Sequence, residues 1–136
     1  FMSKGLKQLI NDLCIRNLST FEGRERAARV LLNRKSILPI YVNDDICLFP
    51  TESIRNYACI YINYNELLSF KEMNKDETKI IFYDLSEIFV NVSSEKIRKQ
   101  LVRVQTILAE KNAKWKRERK CFHYIVIIGI YSLNLV

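Results

Sequence analysis

Glycine, proline and histidine are scarce in this chain of 136 residues, with three, two and one respectively. So little Gly and Pro leaves no room for a long flexible linker. Gly5, Gly23 and Gly129 are far too dispersed to form a phosphate-cradling Walker loop or a dinucleotide fingerprint, each of which needs clustered glycines. No G-x-S-x-G nucleophile elbow occurs either. The one histidine, His123, abuts an apolar run and reads as a structural residue rather than a base or ligand. Cys14, Cys47, Cys59 and Cys121 never stand as a close pair, so zinc-type spacing is missing. With no signal peptide in view, they read as reduced core fillers of a cytoplasmic chain. The acidic pairs Asp44-Asp45 and Asp76-Glu77 fall in turn sequences and read as solvated turn residues rather than ligands of a two-metal centre. These shortages predict a protein that is not an enzyme, with no catalytic residue, no cofactor and no metal.

What the chain does have is a basic surplus. The formal net charge is +7, with 49% hydrophobic and 27% charged residues. That length and composition fit one domain able to bury a core without disulfides. The surplus favours a polyanionic partner: DNA, RNA or an anionic membrane surface. It is unevenly placed. Residues 1–60 hold nine basic and six acidic side chains, residues 61–92 three and six, and residues 93–136 ten and three. Two basic blocks flank an acidic middle.

Periodicity organises the chain. Leu6, Leu9, Ile10, Leu13 and Asn17 trace one face of a helix over 4–16. Ser19, three residues before Glu22, forms a capping-box pattern that starts a second helix over 20–33. Ala27, Ala28, Leu31 and Leu32 would be its buried face, and Gly23 in its first turn suggests a close approach to the backbone. Residues 37–43 and 46–49, joined by Asn43-Asp44-Asp45, read as a hairpin, with Pro39 marking an edge or first position and Pro50 the stop. Further strands are expected at 58–64, 79–83 and 88–92. Ser93 or Ser94 would cap a long helix whose apolar face is Ile97, Leu101, Val104, Leu108 and Trp115. The tail is basic at 111–120, then almost uncharged at 122–136. As a helix that last stretch spans about 22 Å, short of a hydrocarbon core of roughly 30 Å, so a buried strand suits it better than a membrane anchor.

The cationic candidates fall on two helices. The second carries Arg24, Arg26 and Arg29, with Arg34 and Lys35 just beyond its end. Guanidinium groups there suit phosphate contacts and a narrow minor groove. Glu22–Arg26 and Glu25–Arg29 are i,i+4 pairs in the favourable order and would absorb two of the arginines, which leaves Arg24, Arg34 and Lys35 as the stronger candidates. The late helix carries Lys96, Lys99 and Arg103 as one stripe off its apolar face, equally consistent with a solvated surface and with DNA. The cluster at 114–120 is stronger in charge but unspecific.

Ser19-Thr20-Phe21-Glu22-Gly23-Arg24, then Leu38-Pro39-Ile40, then Leu48-Phe49-Pro50-Thr51-Glu52-Ser53, then Ile60-Tyr61-Ile62, follow in an order and spacing that resembles the ComK family of competence transcription factors. The likeness runs from about Leu6 to Asn112. It implies a sequence-specific activator that binds double-stranded DNA at A·T-rich promoter boxes, acts as a homo-oligomer, works with RNA polymerase and is subject to an adaptor for proteolysis. The matching positions are Phe21, Gly23, Arg24, Pro39, Ile40, Phe49, Pro50, Thr51 and Ser53. Most suit turn and strand architecture, while Arg24 also suits a phosphate or groove contact. The short N-terminal segment, Ile60 or Tyr61 where the family commonly has tryptophan, and the apolar tail depart from the pattern and predict a truncated or divergent member.

The expectation is therefore an α+β protein: two N-terminal helices, a small antiparallel sheet with hairpins, and a long C-terminal helix. Residues 1–112 would be the DNA-binding domain and 113–136 a basic, then apolar, tail. DNA contacts are expected from Arg24, Arg26, Arg29, Arg34, Lys35, Lys96, Lys99 and Arg103. The rival readings are a protein-interaction module without DNA affinity and a membrane-tethered protein.

Overall fold

The computed structural model describes residues 2–117, with side chains described over 5–112. The expected strand or anchor at 122–136, the basic side chains at 114–120, Trp115, Cys121 and His123 lie outside the described residues.

Helix α1 (Met2–Arg16) ends where Asn17, Leu18 and Ser19 turn their amides back onto it; Ser19 N–H reaches the Cys14 carbonyl at 3.0 Å. That use of Ser19 corrects the expected capping box. Its hydroxyl also donates to Cys14 O, at 3.2 Å, so it closes α1 and is not free to open α2. The N-cap of α2 (Phe21–Leu32) is Thr20, whose Oγ1 accepts from Gly23 N–H at 3.0 Å. A Cβ at position 23 would stand 3.1 Å from that hydroxyl, which is the close approach that Gly23 permits. The buried faces also rotate from those expected. On α1, Ile10 and Cys14 are buried while Leu9 is 60% exposed; on α2, Phe21 and Ala28 are buried while Ala27 and Leu31 are exposed.

Six strands follow in two antiparallel sheets: β1 (Ile40–Asn43), β2 (Ile46–Pro50) and β3 (Tyr61–Asn63), then β4 (Leu67–Asn74), β5 (Glu77–Phe82) and β6 (Glu87–Val90). β1 is an edge, as Pro39 just before it requires. β2 is central, with Leu48 opposite Asn63 and Ile40, and it is buried on both faces. Leu48 packs with Ile10, Cys14, Phe21, Ile40 and Val42 under α1 and α2. Cys47 and Phe49, pointing the other way by the two-residue period, pack with Ile62, Ile80, Val90, Ile97 and Val104 under α3. One thin sheet thus separates two cores.

The third strand is shorter than expected because Asn56 captures residues 58 and 59 in a turn, its side chain accepting from Ala58 N–H and its carbonyl from Cys59 N–H, each at 2.9 Å. Strand β4 was not anticipated. It pairs with β5 along its length, yet its Leu-Leu-Ser-Phe-Lys-Glu-Met-Asn lacks both alternation and β-branched residues.

Helix α3 (Ser94–Arg117) is capped by Ser93, whose Oγ accepts from Lys96 N–H at 3.3 Å. It runs past residue 112, the expected domain boundary. Ile97 and Val104 are fully buried and Leu101 and Leu108 partly, while Ile107 packs in a separate cluster with Ala28 of α2 and Leu38. No described helix is long and apolar enough to cross a membrane.

Candidate nucleic-acid interface

Helix α2 stops at Asn33, which takes a left-handed conformation (φ 51°) that asparagine tolerates. Arg34 N–H then closes back on the Arg29 carbonyl at 3.2 Å, which sets where Arg34 leaves the helix. The chain bends again at Ile37 (φ 58°) before entering β1. Beyond β2, Thr51 is buried and doubly tied to Ile60: its amide donates to Ile60 O at 2.9 Å and its Oγ1 accepts from Ile60 N–H at 3.1 Å. Ser53 O accepts from Asn56 N–H at 2.9 Å. Ser53 Oγ also accepts from Arg55 N–H at 3.3 Å, so Thr51 and Ser53 hold this loop with their side-chain oxygens, the architectural role their residue types suggest.

This turn faces α3 across a hollow of about 490 Å³, lined by Arg34, Ile37, Thr51, Glu52, Ser53, Asn56, Lys96, Lys99, Gln100 and Arg103. Gln100 is 2% exposed. Its Nε2 donates to Pro50 O at 2.6 Å and its Oε1 accepts from Arg103 Nη1 at 2.8 Å. Burial, and then the neighbouring charge of Arg34, lower the proton affinity of Arg103. Glu52 is the one carboxylate in this wall, and Lys96 and Lys99 form no ion pair among the described residues.

A second hollow of about 510 Å³ adjoins the first, sharing Ile37 and Ser53 with it. Lys7, Arg29, Lys35 and Arg55 are its cations and Glu25 its carboxylate, already paired with Arg29 at 3.3 Å. The two hollows make one cationic face on either side of the 53–56 turn.

Of the eight cations expected at the interface, Arg34, Lys96, Lys99 and Arg103 come together in the first hollow, and Arg29 and Lys35 in the second. Arg24 joins neither. It is half-buried with its guanidinium 5.0 Å from the centre of the Tyr41 ring, and its Nε is buried without a hydrogen bond. Arg26 is exposed and also outside both hollows, and the expected Glu22–Arg26 pair does not form. A fully solvated pair of that kind gains too little to hold two long side chains together. Sequence reasoning passed over Lys7, which lies off the apolar face of α1, and Arg55, whose only signal is its place two residues after Ser53. It also assigned Lys111 to the tail, whereas Lys111 pairs with Asp44 and lies 4.8 Å from the Tyr41 ring centre. Gln100 had no signal, being neutral inside a cationic stripe.

The described thiols offer no nucleophile to this face. Cys14, Cys47 and Cys59 are buried and unpaired; burial pushes the Cys47 thiol up to about 11 and raises the other two. Among the described residues no cluster of His, Cys, Asp and Glu could hold a metal ion.

A family model described as ComK protein matches residues 1–116. The chain belongs to the ComK family. No curated protein and no solved structure matches it. ComK proteins are competence transcription factors that bind A·T-rich boxes, and they are not enzymes. The ComK match takes in both hollows, the turn between them and nearly all of α3.

Proposed function

We propose that this ComK protein holds promoter DNA on the face formed by the two hollows, with Arg34, Lys96, Lys99 and Arg103 on one side of the 53–56 turn and Arg29 and Lys35 on the other. The observation that carries the reading is the shared wall of Ile37 and Ser53, which turns two basic clusters distant in sequence into one surface. Lys7 and Arg55 extend it. Long cationic side chains on such a surface neutralise backbone phosphates, and A·T preference follows from arginine entering a narrow minor groove. Arg24 and Arg26 act at most at the margin of this surface, Arg24 by holding Tyr41.

Residues 1–112 supply the DNA-binding unit in this reading. The family further suggests a cytoplasmic regulator that acts as a homo-oligomer, meets RNA polymerase at its promoters and is delivered to proteolysis by an adaptor. The test uses three duplexes of one length: A·T-rich, G·C-rich, and the G·C sequence with inosine for guanine. Inosine removes the minor-groove amino group and leaves the major-groove edge as in G·C. Minor-groove reading predicts that the inosine duplex binds like A·T. If it binds like G·C, the sequence preference comes from the major groove and this mechanism is wrong.

A further inference from the structure

The first hollow is built more carefully than a cationic surface requires. Gln100 is buried, and its two hydrogen bonds fasten the Arg103 guanidinium to the Pro50 carbonyl at the end of β2. Arg34 lines the same hollow, and its buried Nε–H has no hydrogen-bond partner among the described residues. Two guanidinium groups thus line one hollow in partly desolvated surroundings, each adding to the other's cost of carrying charge, and among the described residues no carboxylate is ion-paired to either, Glu52 being the one carboxylate in the wall. Like charges are brought together in this way at a cost in free energy, and an unpaired buried donor adds to it. An oxyanion with several acceptor oxygens offsets the repulsion, since it bridges the outer N–H groups of two planar forks. Lys96 and Lys99, both exposed, stand where they complete the neutralisation from the rim.

We propose that this hollow is a phosphate-binding site in which one phosphate group bridges Arg34 and Arg103, with Gln100 as the positioning residue. The phosphate comes either from the DNA backbone, in which case the proposal rests on reading this face as the DNA interface, or from a free phosphate in solution. The same oxygens and the same two forks serve both.

The test follows the side-chain Nε–Hε signals of Arg34 and Arg103 in the full chain during titration with inorganic phosphate. Chloride holds the ionic strength constant. The expected result is a saturable shift of both signals at one common affinity, weakened at least tenfold by Arg34→Lys and by Arg103→Lys. Both variants keep the charge and lose the fork. A parallel titration with an A·T-rich duplex identifies the source. Competition between phosphate and duplex, with both variants weakening the duplex, assigns the site to a backbone phosphate. Duplex binding that ignores both phosphate and the variants assigns it to free phosphate. If neither Nε–Hε signal shifts saturably in the wild-type chain, the site does not exist, and the interface reading then stands or falls on the duplex titration alone.

Discussion

Gln100 Nε2 donates to the carbonyl oxygen of Pro50 at 2.6 Å, across fifty residues of chain. That bond ties α3 to the end of β2 and, through Gln100 Oε1, aims Arg103 at the cationic hollow. Replacing Gln100 with Leu roughly keeps the volume and removes both hydrogen bonds. The Pro50 carbonyl is then buried unpaired, so the loss expected is about 1–3 kcal/mol of stability in urea unfolding. DNA affinity should fall further than that of the folded fraction alone, because Arg103 is no longer held. Unchanged stability would show that the bond contributes nothing net.

Thr78 makes a second buried polar link. It is fully buried, donates to Val92 O at 2.9 Å and shares a hydrogen bond of 3.0 Å with Ser94 Oγ at the start of α3. Thr78→Val preserves shape and strips the hydroxyl, and should cost about 1–2 kcal/mol by chemical denaturation. DNA binding by the folded variant should be unaffected, since neither residue lies in the cationic face.

The Tyr41 ring carries Arg24 and Lys111 at 5.0 and 4.8 Å from its centre, and its hydroxyl donates to Asp44 at 2.6 Å. Arg24→Ala should cost about 0.5–1 kcal/mol of stability through the lost cation–π contact. Its effect on DNA affinity should be smaller than that of removing Lys96 or Lys99. A large affinity loss with unchanged stability would instead place Arg24 on the DNA.

Asp44 titrates below its ordinary 3.8 because Lys111 and the Tyr41 hydroxyl hydrogen-bond its carboxylate. A depressed folded-state value means its contribution is present above 3.8 and is lost as pH falls through that lower value. Lys111 is raised above 10.5, chiefly by Asp44, so its share is present below 10.5 and is lost as pH rises through the raised value. Melting temperature measured against pH should therefore lose one component of its acid limb in Asp44→Asn, together with part of the decline at high pH. An acid limb identical to wild type would mean that the pair is solvated away.

Much of this arrangement was legible in the sequence. Leu48 and its neighbours form a short apolar run between turn signals, and they do make a buried strand. The α3 face from Ile97 to Leu108 follows from spacing alone. What was hidden depends on tertiary packing. Ser19 and Thr20 are equally good caps by residue type, and only the closing turn of α1 decides between them. The β4 sequence is too polar to read as a strand, and it is held by its ladder to β5. The proposed interface was partly visible as charge. Arg34 stood out as a cation without an i,i+4 partner, and Lys96, Lys99 and Arg103 as a stripe that a solvated surface explained equally well, but nothing in the spacing shows that they line one hollow. Arg24 looked as free as Arg34 until the fold placed an aromatic ring beneath it.

The central claim is that DNA binds the face shared by the two hollows. The most direct measurement is the salt dependence of affinity for one A·T-rich duplex, compared between wild type and Lys96→Gln/Lys99→Gln. If both lysines neutralise phosphates, affinity falls and the slope of log K against log salt becomes shallower by about 2. A slope and an affinity equal to wild type, in a variant that remains folded, would contradict the account and move the DNA to another surface.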